Sequence, residues 1–244
     1  MFEFIEKLSS FSLWGSIVNC IMVIVGSLAG FVVKQFMNTG AEGGAMNRVA
    51  DALMKGMALC VLLIGITGAI GTQNIIIVIV SIALGAVIGE LCNLEKGIHN
   101  LGDAIERATK GKFGNVTQGF VTASLLFCVG SMAIVGSLNS GLLGDHNMQY
   151  TKGLIDMISA FVFSTTLGIG VMFSAFLILI YQGAITLLAA WIEPFLSTAT
   201  ITEMTAVGSL LIIALSLNML GITKIKVMNY VPAIFLPILI CLFI

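Results

Sequence analysis

The sequence predicts an all-α polytopic membrane bundle of about eight spans, with an inverted repeat and a broken helix near 168–170. Three observations lead there: a composition unsuited to water, a succession of long apolar runs, and basic residues confined almost wholly to alternate gaps. Of the 244 residues, 58% are hydrophobic and 9% charged, and the mean hydropathy is +1.10. A soluble domain carries about 25% charged residues. A chain this apolar could not cover its own surface in water, so the bilayer is its solvent.

A helical span needs about 20 predominantly apolar residues. Eight stretches qualify or nearly so: 13–35, 56–72, 74–92, 118–138, 152–168, 171–192, 204–221 and 226–244. The stretch 153–192 is too long for one helix, and Gly168 and Gly170 weaken it where it is divided. Cytoplasmic loops carry excess Lys and Arg. With the N-terminus outside, Lys34, Arg48, Lys55, Lys96, Arg107, Lys110, Lys112, Lys224 and Lys226 lie inside, and only Lys7 and Lys152 outside. Both termini are therefore expected outside the cytoplasm. Trp14, Tyr150 and Trp191 then fall near the outer interface, where amphipathic rings are favoured.

The N-terminus does not read as a secretory signal. Glu3 and Glu6 precede the first apolar run, and no small-residue cleavage site follows. Cys20, Cys60, Cys92, Cys128 and Cys241 form no CxxC and read as thiols buried in apolar segments. His99 and His146 are isolated and on opposite sides in this topology, so no metal set is assigned. Residues 41–55 and 94–112 read as amphipathic helices lying in the headgroup region. Lys110-Gly111-Lys112 lacks the upstream Gly of a phosphate loop, so no nucleotide, cofactor or nucleic-acid partner is expected. Glu193 and Glu203 flank an outer loop and read as solvated.

Residues 58–79 and 206–227 share Ala, Leu-Leu-Ile and a late Gly, and Gly26–Ala29 matches Gly183–Thr186 in character. Spans 1–3 thus correspond to spans 6–8, and the odd offset of five inverts one copy. The whole chain, 1–244, is one membrane domain: 13–92 is the first repeat, 118–168 a central helix pair, and 171–244 the second repeat. Inverted repeats typify secondary transporters, whose sites lie at the repeat interface near the midplane. Gly26 with Gly30, and Gly85 with Gly89, are small-xxx-small pairs that call for close packing, within the protein or in a homo-oligomer.

The central pair is rich in hydroxyls: Thr122, Ser124, Ser131 and Ser137 in one span, then Asp156, Ser159, Ser164, Thr165 and Thr166 in the next. Hydroxyls serve as glue between helices. Beside a Gly-interrupted helix they also coordinate a cation or polar solute. A charge at the bilayer centre costs about 3 kcal/mol or more, so Asn19, Glu90, Asp156, Gln182 and Asn218 are expected to face partners or a cavity. Lys152 stands four residues before Asp156, so a structural ion pair competes with a coupling role. The candidate substrate-binding residues are Thr122, Ser124, Ser131, Asp156, Ser159, Ser164, Thr165, Gln182 and Asn218.

The runs GFVTASLLFCVGSMAIVGSLNSGLLGDH (119–146) and YTKGLIDMISAFVFSTTLGIGVMFSA (150–175) carry a family resemblance. IVN (17–19), LLIG (62–65), TQN (72–74), IGE (88–90), YQGAITLLA (181–189) and EMTAVG (203–208) add to it. The chain resembles, over nearly its whole length, the bacterial membrane family known as domain of unknown function 554, the YdfK/YqgA-like proteins. The resemblance implies a multi-pass protein of the bacterial inner membrane and carries over no catalytic residues. The expected function is a transporter or channel for a small polar solute or ion. A non-transporting scaffold or sensor is the alternative. An enzyme is not expected, because no nucleophile–base pair or metal cluster is visible.

Overall fold

The computed structural model describes residues 11–39, 44–97, 100 and 116–242. Among these every regular element is helical. The long helices are α1 (Trp14–Thr39), α2 (Gly44–Ile70), α3 (Ile75–Cys92), α4 (Val116–Cys128), α5 (Ser131–Leu143), α6 (Asn147–Leu167) and α7 (Gly170–Leu187). A short α8 (Ala189–Ile192) leads to α9 (Thr198–Met219). The chain then closes with a 3-10 segment, Val227–Phe235, and α10 (Leu236–Ile240).

Five helices are long and apolar enough to cross a membrane: Trp14–Gln35, Asp51–Ile70, Ile75–Cys92, Gly170–Leu187 and Thr198–Met219. The pair α4 and α5 makes a sixth if counted as one span, bent by 63°. The chain is thus a helical membrane protein. Three expected spans depart from the pattern. The helix at the expected 152–168, α6, has 21 residues but is not among those apolar enough to cross, because it carries Lys152, Asp156 and several other polar residues. The span expected at 118–138 is broken, because Gly130 holds φ 141° and ψ 143°, a conformation closed to other residues. The segment expected at 226–244 is a 3-10 helix interrupted by Pro232 and followed by Pro237. The break expected near 168–170 is present: Gly168, at φ 79°, ends α6, and α7 starts at Gly170.

Residues 44–55, expected as part of a separate surface helix, instead extend α2 without interruption. Of the other expected amphipathic helix, only 94–97 and 100 are described, and Leu94–Gly97 are helical. The remainder, with His99, Arg107, Lys110 and Lys112, lies outside the described residues.

Glycine decides which helices meet. Gly26 and Gly30 of α1 lie so close to α6 that a Cβ on either would overlap the carbonyl oxygens of Met157 and Phe161. Gly15 faces Gln149, and Lys34 Nζ donates to the Thr166 carbonyl at 2.8 Å, so α1 and α6 run parallel along most of their length. Gly65 and Gly68 of α2 face Ile213 and Ser209 of α9, and Ser216 Oγ donates to the Ala58 carbonyl at 2.7 Å, an antiparallel register. Gly85 and Gly89 of α3 abut Ala233 and Asn229 of the closing segment, also antiparallel. Along the bent pair, Gly170 faces Val116 and Thr186 Oγ1 donates to the Ser137 carbonyl at 3.2 Å, so α7 runs parallel to α4 and α5. The two ends of the bundle are therefore a Trp14 end and a Lys34 end.

Burial follows these contacts. Ile77, Val78, Ser81, Gly85 and Gly89 form one narrow buried stripe on α3, and most of the rest of that helix is open apolar surface. At the Trp14 end, the α2–α3 turn is held by Glu203 of α9. Its carboxylate accepts from Thr72 Oγ1 at 2.6 Å and from the amides of Gln73 at 2.7 Å and Asn74 at 3.0 Å. Glu203 is 2% exposed, so the expected solvated residue is a buried clamp, and these donors explain how a carboxylate tolerates burial.

A Cβ at Gly89 meets backbone that cannot step aside. Gly89→Ala should therefore destabilise the protein by about 1–3 kcal/mol, the usual cost of overpacking. Gly56 is the control, because nothing lies within 4 Å of its added Cβ. Gly56→Ala should leave the melting temperature unchanged or raise it slightly through helix propensity. Thermal unfolding of both variants in detergent checks the contrast.

Candidate functional site

The polar residues of α1, α6 and α7 converge at the Trp14 end and towards the middle of the bundle. On α6, Gln149, Lys152, Gly153, Asp156 and Ala160 recur at helical spacing and form one buried face. Gly153 has no side chain, which brings the α6 backbone against Asn19 of α1.

Two networks occupy this face. In the outer one, Gln149 Nε2 donates to Ser16 Oγ at 3.0 Å and Ser137 Oγ at 3.1 Å, and Gln149 Oε1 accepts from Ser140 Oγ at 2.7 Å. Ser140 Oγ also meets His146 Nδ1. The serine has one proton and gives it to Gln149, so His146 Nδ1 carries a hydrogen and donates. His146 is 5% exposed, and the histidine expected to be isolated is built into the network. Every amide position of Gln149 is used, and the network ties α1, α5 and α6 together.

The central network contains the charges. Lys152 and Asp156 form a buried ion pair, and the Lys152 ammonium also lies 5.9 Å from the centre of the Phe127 ring. Asn19 Nδ2 donates to Asp156 Oδ2 at 3.3 Å and to Gln182 Oε1 at 3.2 Å. These bonds consume the donor side of Asn19 and the acceptor side of Gln182. Asn19 Oδ1 and Gln182 Nε2 are left fully buried with no partner. Reversing either amide would set like atoms against each other, so the orphaned acceptor and donor follow from the arrangement itself. An unmade bond at a buried polar atom costs about 1–3 kcal/mol.

The predicted site residues separate into three groups. Asp156 and Gln182 belong to the central network. Thr122, Ser124 and Ser164 are buried, and their hydroxyls have no partner; the same holds for Ser27 on α1. The third group does not join the site. Ser131 is exposed because it starts α5 beyond the break. Ser159 and Thr165 are half-buried, and Thr165 Oγ1 donates to its own helix at the Val162 carbonyl, 2.7 Å away. Asn218 closes a loop at the Lys34 end, donating to the Ile225 carbonyl at 2.7 Å and accepting from Thr223 Oγ1 at 2.7 Å. The hydroxyls of α4 do not share one cavity: Thr122 lines a pocket with Asn218, whereas Ser124 lines a different one. Glu90 is exposed and held by Lys226 at 3.1 Å and by Asn229, which makes it a surface contact between α3 and the closing segment.

Sequence reasoning noted Asn19 as a polar residue within a span but left it out of the site. It passed over Ser16, Ser140 and Gln149. The 149, 152, 153, 156 spacing on α6 was the available signal.

A family model described as "Protein of unknown function (DUF554)" matches residues 14–242. The chain belongs to this family. It is 33% identical to the "Uncharacterized membrane protein YdfK" of Bacillus subtilis (strain 168), over 92% of this chain and 94% of that protein. It is 29% identical to the "Uncharacterized protein YqgA" of Escherichia coli (strain K12), over 91% of this chain and 93% of that one. No solved structure matches. The stretches that carry the family resemblance meet in space: Asn19, Asp156 and Gln182 share the central network, and Thr72, Gln73, Asn74 and Glu203 share the clamp.

Removing one partner of a buried ion pair strands the other charge, at a cost of about 3–5 kcal/mol. Lys152→Met and Asp156→Leu should each lower the melting temperature sharply. The double variant should recover most of the loss, because two apolar groups of similar volume replace a pair that is costly to desolvate. A melting series of the three variants measures the coupling. Simple addition of the two single losses would show that the pair does not act as a unit.

Proposed function

We propose that the chain is a transporter or channel for a small polar solute or ion, with its pathway along the α1, α6 and α7 interface. The observation that supports this best is the buried Lys152–Asp156 pair beside one orphaned acceptor, Asn19 Oδ1, and one orphaned donor, Gln182 Nε2. A charged group at membrane depth that faces the bundle interior is a functional candidate by default. The orphans supply complementary positions for a solute that displaces or replaces water. In this reading the saturated outer network is the closed side of the pathway, and the unpartnered hydroxyls of Ser27 and Ser164 line its continuation.

The eight-span, inverted-repeat architecture is part of the same proposal. Helix directions support it: α2 runs antiparallel to α9 and α3 to the closing segment, and Asn19 of α1 meets Gln182 of α7, contacts that an inverted repeat of spans 1–3 and 6–8 would make. The bent α4–α5 pair and α6 would then complete the eight crossings. The chain is read as non-enzymatic. Ser140 spends its proton on Gln149 and is not activated by His146. Residence in the bacterial inner membrane rests on the family resemblance, and the placing of both termini outside the cytoplasm rests on the Lys and Arg distribution. The satisfied outer network also suits a scaffold or sensor, which is the second reading.

Topology is tested by single cysteines in a chain freed of its own. Asp145→Cys, at the Trp14 end, should react with a membrane-impermeant maleimide from outside intact cells. Lys224→Cys, at the other end, should react only after permeabilisation. Labelling of both from one side would discard the arrangement.

Function is tested in proteoliposomes by solid-supported-membrane electrophysiology, with a panel of sodium, potassium, formate, glycine and urea gradients. Wild-type protein should give a current or a tracer flux for at least one, and Asp156→Asn should abolish it while remaining folded. A scaffold gives neither signal, and an undiminished Asp156→Asn response would remove Asp156 from the pathway.

A further inference from the structure

A second cavity lies apart from the polar centre, between α4, α7 and the closing segment. It holds about 170 Å³ and is lined by Ser124, Cys128, Leu177, Tyr181, Val231 and Phe235 among others. No charged side chain is among its described lining residues. Ser124 and Cys128 sit in the last turns of α4, just before the break at Gly130, which divides α4 and α5 into equal halves. The polar part of the cavity is therefore midway between the two ends of the bundle. The Ser124 hydroxyl is buried and has no partner. Cys128 lines the same wall, one turn further along α4.

We propose that this cavity binds a small neutral amphiphile, an apolar body with a single hydroxyl or amide head placed at Ser124. The apolar lining takes the body, and the orphaned hydroxyl needs one hydrogen-bond partner. A charged head is disfavoured, because burial without a counter-ion in the lining is costly. A bilayer phospholipid is excluded by depth: its head stays at the interface, whereas Ser124 lies midway. The volume suits a molecule of roughly ten non-hydrogen atoms, at about one water-sized sphere each. The site stands on the cavity alone and holds whether or not the chain transports.

Cysteine chemistry tests it with the full chain in phospholipid nanodiscs. A variant keeping only Cys128 (Cys20→Ala, Cys60→Ala, Cys92→Ala, Cys241→Ala) is alkylated by N-ethylmaleimide in the presence of octan-1-ol, octanoate or octylamine. Octan-1-ol should slow the reaction saturably, by about tenfold at ten times its half-protecting concentration. Octanoate and octylamine should protect less. Ser124→Ala should raise the half-protecting concentration of octan-1-ol about fivefold, the equivalent of one hydrogen bond. If Cys128 itself does not react, Val231→Cys in a chain lacking the native cysteines reports from the opposite wall. Failure of octan-1-ol to protect, stronger protection by either charged probe, an unchanged response in Ser124→Ala, or inertness of both thiols would each overturn the site.

Discussion

The structure depends on the direct seating of α1 on the backbone of α6. In hydrocarbon, helices gain nothing from hiding apolar side chains, so association rests on close packing and on polar groups that find each other. Gly26 and Gly30 provide the close approach, and it fixes the rotation and height of α1 relative to α6. That register sets Asn19 beside Gly153 and Asp156, Ser16 beside Gln149, and Lys34 beside the Thr166 carbonyl. Without it the buried amides and the ion pair would face lipid, where neither has a solvent.

Polar satisfaction varies along this interface. At the Trp14 end each amide position of Gln149 is bonded, and the helices are latched together. At the centre the charges pair, but geometry withholds partners from one acceptor and one donor. Beyond that, Val23, Phe127, Ala160 and Phe163 form an apolar section, and the hydroxyls of Ser27, Thr122 and Ser164 are buried without partners. A protein that needed these groups only as glue would gain by pairing them. The mismatch, more than the ion pair alone, is what distinguishes the centre from ordinary packing.

Much of this was legible in the sequence, and the rest was hidden for physical reasons. Glycine spacing announced the close contacts of α1 and α3, and Gly168 and Gly170 announced the break between α6 and α7. The break at Gly130 was missed because a single glycine inside an apolar run is usually tolerated, and only its backbone angles reveal the bend. Asp156 and Gln182 were identified from depth. Asn19 was noted in the same way but left out of the site, because nothing in the sequence links it to partners more than a hundred residues away. Glu203 looked solvated because sequence shows its loop but not the turn at 72–74 that supplies its donors. Asn218 was read from depth alone, and the fold adds that it closes its own loop and lines a pocket with Thr122.

The closing segment gains reach from its winding. A 3-10 helix rises about 2.0 Å per residue, against about 1.5 Å in an α-helix. The nine residues Val227–Phe235 followed by the five of α10 therefore extend about 25 Å, although an α-helix of that length would stop near 21 Å. That approaches the roughly 30 Å thickness of a hydrocarbon core. Stretching the winding lets a segment too short by residue count lie along most of α3, and it stacks side chains three apart into a straight ridge. A substitution that relaxed Val227–Phe235 into an α-helix would shorten it by about 4 Å and change the spacing at which Asn229 and Ala233 meet the α3 glycines.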